Sequence, residues 1–72
     1  MKKKNKIKIK LNGKNLTVKE NLNIEEFVKQ FNIKLKNVAI ERNNEIIDKK
    51  KIKKIFLNNN DNIEVVHFIG GG

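Results

Sequence analysis

The sequence predicts an α+β domain in which one main helix packs on a mixed sheet of four to five strands. Segments with strand periodicity flank one amphipathic stretch of helical periodicity, in an order typical of such a domain. The chain has 72 residues, too few to fill a second hydrophobic core. We therefore expect one domain over residues 1–72, with residues 70–72 as a flexible C-terminal tail.

The first twenty residues predict a β-hairpin. Residues 7–11 alternate Ile or Leu with Lys, which is the period of a strand with one buried face. Asn12-Gly13 follows, and both residues tolerate the positive φ angles of a tight hairpin turn. Residues 15–19 alternate polar residues with Leu and Val, which indicates a second, antiparallel strand.

A short amphipathic helix is predicted after the hairpin. Asn23 can cap its N-terminus, and Glu25 and Glu26 lie in the first turn, where the helix dipole favours negative charge. The helix should end near Asn32. Its apolar stripe, at helical spacing, consists of Ile24, Phe27, Val28 and Phe31.

The second half of the chain alternates β-prone segments with polar turns. The long helical connection between strands two and three allows the last strand to pair in parallel with the first, in the middle of the sheet. Residues 49–57 carry apolar residues at helical spacing but are dense in lysine, so a short helix and a 3₁₀ turn both remain open. The predicted strands cover residues 38–43, 45–47 and 62–69, with turns at 43–44 and 58–61.

The composition is strongly basic. Seventeen basic residues face eight acidic ones, for a net charge of +9, and Arg42 is the only arginine. Nucleic-acid sites usually combine arginine with exposed aromatic residues, so this lysine excess favours solvated lysines that help to dock an acidic partner. A small basic nucleic-acid-binding module remains the alternative from another class.

The residues needed for a catalytic or metal site are missing. The sequence has no cysteine or serine, and its single histidine, His67, has no second histidine or thiol to share a metal. The acidic residues suit helix-dipole and solvent-facing roles. Since no signal peptide or membrane-spanning run is visible, we expect a cytoplasmic protein that is not an enzyme and binds no cofactor or metal.

The C-terminus is the most unusual feature of the sequence. A β-prone strand runs directly into Gly70, Gly71 and Gly72. Glycine lacks a Cβ, so such a tail can thread a narrow channel in another enzyme. A carboxylate becomes an acyl donor only after it is joined to a leaving group such as AMP. We therefore predict Gly72 as the reactive residue and Gly70 and Gly71 as the threading segment, the alternative being a disordered tail without function.

These residues resemble the ThiS sulfur-carrier family. Residues 63–72, Ile-Glu-Val-Val-His-Phe-Ile-Gly-Gly-Gly, are similar to its C-terminus, and Asn-Asn-Glu-Ile-Ile at 43–47 resembles its Asn-Gly-Glu-hydrophobic hairpin. The resemblance covers nearly the whole chain, but Asn44 and Asn60 stand where the family usually has glycine. Asp-Lys at 48–49 stands where Pro-Arg is frequent, which affects local docking contacts rather than the tail.

The resemblance implies a ubiquitin-like β-grasp fold of the MoaD/ThiS superfamily and a role in thiamine thiazole synthesis. A ThiF-type enzyme would adenylate the Gly72 carboxylate with ATP and Mg²⁺. Sulfur from a cysteine desulfurase or another persulfide donor would then give a thiocarboxylate, and a ThiG-type thiazole synthase would receive that sulfur. A MoaD-like carrier for molybdopterin or tRNA thiolation is the nearby alternative, although a third glycine favours ThiS.

The last strand also predicts a partner-binding patch. If Ile63 and Val65 face the core, Val66 and Phe68 face the opposite way. Exposed apolar side chains beside the tail are suited to binding a partner. The alternative is that Phe68 folds over a sheet edge as part of the core. The predicted patch consists of Val66, Phe68 and Ile69.

Overall fold

The computed structural model describes residues 5–67. Residues 1–4 and 68–72 lie outside the described residues, so the predicted tail at 70–72 and the end of the last predicted strand stay predictions. The elements within 5–67 follow the predicted order. They are β1 (Lys6–Leu11), β2 (Lys14–Lys19), α1 (Ile24–Gln30), β3 (Val38–Arg42), β4 (Glu45–Ile46), a 3₁₀ turn (Lys49–Lys51) and β5 (Asn62–His67).

The five strands form one mixed sheet in the order β2-β1-β5-β3-β4. β5 lies in the middle, parallel to β1 and antiparallel to β3. The other two pairs, β1 with β2 and β3 with β4, are antiparallel. The prediction that the last strand joins the first in parallel at the centre of the sheet is confirmed, and the arrangement is the expected ubiquitin-like β-grasp.

The hydrophobic core lies between α1 and one face of the sheet. The predicted apolar stripe of α1 is confirmed: Ile24 and Phe27 are fully buried, and Phe31 packs partly buried against them. Each fully buried side chain of this size stabilises the fold by about 1.5–3 kcal/mol. From the sheet, the buried partners are Ile9, Val18, Val38, Ile40 and Ile63.

Asn23 caps α1 as predicted and forms a reciprocal capping box with Glu26. The Glu26 backbone N–H donates to Asn23 Oδ1 at 2.8 Å, and the Asn23 backbone N–H donates to Glu26 Oε1 at 3.1 Å. The pair satisfies two backbone donors that a bare helix end leaves without partners. Within residues 5–67 no helix is long and apolar enough to cross a membrane.

In residues 49–57, where a short helix and a 3₁₀ turn were both open, only Lys49–Lys51 form a 3₁₀ turn, and no longer helix follows. The helical spacing of residues 49–57 is overridden because residues 55–57 run alongside residues 22–24, where Ile24 N–H donates to Ile55 O at 2.8 Å and Leu57 N–H donates to Leu22 O at 2.9 Å. Backbone pairing in an extended conformation replaces further helical turns. Phe56 points outward as a result and is 48% exposed.

Asparagine makes most of the turns in this protein. Seven asparagines of residues 5–67 have positive φ, among them the two that stand where the family usually has glycine, Asn44 at 73° and Asn60 at 72°. Asparagine tolerates the left-handed region better than other non-glycine residues because its short amide can bond locally. The departures from the family pattern therefore keep the backbone conformation that glycine would take.

Candidate functional site

The strand that leads to the C-terminus runs through the centre of the sheet. β5 pairs with β1 at only two positions, where Asn62 lies opposite Lys10 and Ile63 lies opposite Leu11. β1 ends at Leu11, and the chain then turns back into β2. Its register with β3 continues for five positions, up to Val38 opposite His67. The chain thus reaches Phe68, the first residue outside the described region, directly from a strand fixed in the sheet.

The base of β5 is held by the carboxylate of Asp61, which is 5% exposed. Asp61 Oδ2 accepts from the Asn58 backbone N–H at 2.7 Å and from Arg42 Nε at 3.0 Å. Asp61 Oδ1 accepts from Asn43 Nδ2 at 3.0 Å. A buried charge is tolerated when it is paired and fully hydrogen-bonded, as here. The carboxylate therefore joins the β3–β4 turn to the start of β5.

Asn43, in the turn between β3 and β4, makes further hydrogen bonds to the start of β5. Its side-chain Oδ1 accepts from the Asn62 backbone N–H at 2.8 Å, and its own backbone N–H donates to Asn62 O at 2.8 Å. The side chain thereby continues the β3–β5 hydrogen bonding one step beyond Arg42, where β3 ends. Asn62, the first residue of β5, is fixed on both sides.

Asn12 supports β5 where β1 has already turned away. Its backbone N–H donates to Ile63 O at 2.9 Å, and its side-chain Oδ1 accepts from the Val65 backbone N–H at 2.8 Å. The Asn12 side chain thus accepts the hydrogen bond that a further residue of β1 would accept if that strand continued alongside β5. Sequence analysis placed Asn12 in a hairpin turn and missed this second role, because its partner lies 53 residues away.

The two faces of β5 differ as the predicted strand phase requires. Ile63 is fully buried and Val65 is half-buried against the core, whereas Glu64 is exposed and Val66 is 43% exposed. Phe68 and Ile69, the other residues of the predicted patch, lie outside the described residues, as do Gly70, Gly71 and Gly72. Of the predicted site, the structure therefore describes Val66 alone.

We call the face of the sheet turned away from α1 the open face. On it Val66 lies opposite Ala39, and Ile46 of β4 lies opposite Glu41. Ile46 is 72% exposed, the largest exposure among the large apolar residues of 5–67, and sequence analysis did not include it in the patch. The signal was available, since Ile46 follows a polar turn and alternates with the buried Ile47.

His67 ends β5 as an exposed residue on the helix side of the sheet. It lines a shallow cavity of about 310 Å³ at the C-terminal end of α1, together with Asn32, Ile33 and Lys34. Within residues 5–67 no group of three or more His, Cys, Asp or Glu side chains could hold a metal ion.

Comparisons with known proteins agree with this geometry. The ThiS family model matches residues 5–72. The sulfur carrier protein ThiS of Bacillus subtilis (strain 168) is 38% identical over 65 residues, which make up 89% of this chain and 98% of that protein. A thiazole synthase of Paramagnetospirillum magneticum is 32% identical over 66 residues, which are 92% of this chain but only 20% of that protein.

A solved structure matches at the level of the fold. The crystal structure of the thiamine biosynthesis protein ThiS from Geobacter metallireducens superposes with a TM-score of 0.82 at 28% sequence identity. The match covers 92% of this chain and all of that one. Sequence and fold therefore lead to one conclusion: the chain belongs to the ThiS family.

Proposed function

We propose that this protein is a sulfur carrier of thiamine biosynthesis that works through the carboxylate of Gly72. The single observation that carries the proposal is the family match, which continues through the last glycine and covers nearly the full length of a named sulfur carrier. The fixed path of β5 supports it, because hydrogen bonds to Asp61 and Asn12 hold the strand that ends at His67, five residues before Gly72.

The proposed chemistry takes place on a partner enzyme. A Gly72 carboxylate oxygen attacks the α-phosphate of ATP, held with Mg²⁺ by a ThiF-type adenylating enzyme, and pyrophosphate leaves. The terminal sulfur of a persulfide, supplied by a cysteine desulfurase or another donor, then attacks the acyl carbon and AMP leaves. A second thiol then attacks the donor-side sulfur of the resulting acyl disulfide, forms a disulfide with the donor cysteine and releases Gly72 as a thiocarboxylate. The carrier itself acts as a co-substrate and binds no cofactor.

A ThiG-type thiazole synthase is the proposed sulfur acceptor. The thiazole synthase relative supports this, because a region similar to nearly the whole carrier makes up one fifth of that protein's length. When two modules share one chain, their effective concentration is high, which suits a carrier and the enzyme that receives its sulfur. We propose that the chain described here makes the same kind of contact with a ThiG-type enzyme in the cytoplasm.

Val66, Phe68 and Ile69 are proposed to form the partner-binding patch beside the tail. The exposure of Val66 supports this, and the neighbouring Ala39 and Ile46 extend the apolar surface across β3 and β4. Apolar side chains grouped on an exposed face provide most of the binding energy when a partner removes them from water.

Intact-protein mass spectrometry tests the proposed function. The chain is incubated with ATP, Mg²⁺, a ThiF-type enzyme, a cysteine desulfurase and cysteine. We expect a mass increase of about 16 Da, the difference between the atomic masses of sulfur and oxygen, because the enzymes replace one oxygen of an accessible C-terminal carboxylate. A chain that lacks Gly72 is the control and should keep its mass. An unchanged mass of the full chain with an active enzyme set would contradict the proposal.

A further inference from the structure

The open face of the sheet carries a row of lysines that the proposed chemistry does not use. Lys6, Lys8 and Lys10 of β1 alternate with inward apolar residues, and Lys6 lies opposite Lys19 of β2. We call these four residues the lysine ladder. All four are exposed, and within residues 5–67 the structure records no ion pair for any of them.

The lysine ladder is unfavourable for the isolated domain. Like charges directly opposite one another on neighbouring strands destabilise a sheet, and Lys6 and Lys19 are such a pair. Along β1, lysines two residues apart are separated by only about 7 Å, at roughly 3.4 Å per residue. An arrangement of this kind becomes favourable when negative charge is placed over it.

A concavity lies on the same half of the open face. It has a volume of about 640 Å³ and lies between the β1–β2 hairpin and the loop that leads into β5. Its neutral polar lining residues are Asn15, Thr17, Asn60 and Asn62. Asp61, its one acidic lining residue, is buried and paired with Arg42. Lys8 and Lys10 also line it, so the surface offers donors suited to carboxylates.

The other half of the open face has the opposite character. Glu41 lies opposite Glu64 across β3 and β5, and next to this pair Ala39 lies opposite Val66. The face is therefore divided into a basic half on β1 and β2 and an apolar, acidic half on β5, β3 and β4. Because Asn62 lies opposite Lys10, Val66 is four residues, or about 13 Å, further along β5 than the nearest lysine of the ladder. A protein partner that covers about 800 Å² of this surface can contact both Val66 and the ladder.

We propose that the open face docks onto a protein surface whose carboxylates lie over the lysine ladder and whose apolar residues lie over Val66 and Ile46. This rests on the proposed function, with the adenylating enzyme as the partner. The chemistry of the basic half favours a protein over nucleic acid: as described within residues 5–67, the lysine ladder and the lining of the concavity contain no arginine and no aromatic residue to read or stack on bases. A second copy is disfavoured by the net charge of +9.

The test compares two variants with the same loss of charge. One carries Lys6→Gln, Lys8→Gln, Lys10→Gln and Lys19→Gln. The control carries Lys50→Gln, Lys51→Gln, Lys53→Gln and Lys54→Gln, four exposed lysines in and after the 3₁₀ turn, beside the N-terminus of α1. Binding to a ThiF-type enzyme without ATP is measured at low and moderate salt, and the KM and kcat for adenylation are measured separately.

We expect the ladder variant to bind at least about tenfold more weakly at low salt, with a raised KM, an unchanged kcat and a flatter salt dependence. The control variant should change by less than about threefold, from its net charge alone. Thermal unfolding verifies the fold, and the ladder variant should be at least as stable as the wild type because its facing lysines are gone.

Equal losses in both variants, or no loss in either, would overturn the docking proposal while a modified Gly72 kept the proposed function in place. A single-stranded DNA probe provides a further arm: wild-type binding to DNA that is tighter than binding to the enzyme at the same salt, and lost in the ladder variant, would also overturn it. A wild-type chain that binds the enzyme with the expected dependence on the lysine ladder but never becomes adenylated would contradict the proposed function and leave the docking surface in place.

Discussion

Residues 62–63 of β5 have hydrogen-bonded neighbours on both sides, whereas residues 64–67 have β3 on one side and only the Asn12 side chain on the other. The first part is further fixed by the buried Asp61 carboxylate, and the second part ends with an exposed Val66 and His67. The difference separates two parts of one strand: its base is fixed on both sides, and the end nearest the C-terminus has an exposed apolar side chain, which is where we propose that a partner binds.

The largest effect on the base is expected from Asp61→Ala. This change removes three hydrogen bonds and leaves Arg42 without its carboxylate, so we expect a loss of about 3 kcal/mol of unfolding free energy. For a domain of this size the Tm should fall by roughly 12 to 24 °C. Chemical denaturation and thermal scanning measure both quantities.

Asp48→Ala is the matched control for Asp61→Ala. Asp48 is exposed and accepts one backbone bond, from Lys50 N–H at 2.9 Å. Its removal should cost about 1 kcal/mol or less. If Asp61→Ala destabilised the protein no more than Asp48→Ala, the base of β5 would not depend on the buried carboxylate.

Asn12→Ala addresses the boundary between the two parts of β5. The change removes the acceptor for Val65 N–H and places alanine at a φ of 50°, so we expect a loss of about 2 kcal/mol. Asn12→Asp keeps an acceptor and should recover most of that loss. Asn15→Ala, an exposed change on the same hairpin, should have little effect. Similar denaturation midpoints for all three variants would contradict the role of the Asn12 side chain.

Val66→Ala examines the presenting end. We expect an intact fold with binding to a ThiF-type enzyme weakened by about tenfold, or about 1.4 kcal/mol, measured by calorimetry. Phe68→Ala should weaken binding in the same way if Phe68 belongs to the patch, and should lower the Tm instead if it belongs to the core. Phe56→Ala removes an apolar residue of similar exposure beside the N-terminus of α1 and is the control. Equal affinity of Val66→Ala and the parent chain would remove Val66 from the docking surface.

The smallest effect concerns the asparagine turns, away from both parts of β5. Asn44→Ala forces a residue with a Cβ and no local amide into a φ of 73°, which should cost about 1 kcal/mol. Asn44→Gly should be no less stable than the parent, since glycine adopts this conformation freely. The midpoints of urea denaturation measure both changes in stability. A fully stable Asn44→Ala variant together with a destabilised Asn44→Gly variant would contradict the role of the positive φ at this turn.

Local patterns predicted much of this fold. The hairpin, the capped helix and the inward phase of Ile63 and Val65 all follow from periodicity and turn chemistry within a few residues. The roles of Asp61 and Asn12 did not emerge, because their partners lie 18, 19 and 53 residues away in the sequence. Of residues 49–57, only Lys49–Lys51 took the 3₁₀ alternative, because the pairing of residues 55–57 with residues 22–24 overrides local helical spacing.

The site was predicted less directly than the fold. The strand phase alone correctly placed Val66 on the exposed face, but Ile46 was overlooked because only the strand order brings β4 onto the same face as β5, from which the patch was predicted. The division of that face into a basic and an apolar half depends on the strand order β2-β1-β5-β3-β4, which no single segment encodes.

The most direct test of the central claim locates the sulfur within the chain. After the thiolation reaction, the modified protein is fragmented in the mass spectrometer. Each N-terminal and each C-terminal fragment is then compared with the same fragment of the unmodified protein. The account predicts that every fragment containing Gly72 carries the added mass and that fragments ending at or before Gly71 do not. Added mass on a lysine or on His67, with Gly72 unchanged, would contradict it.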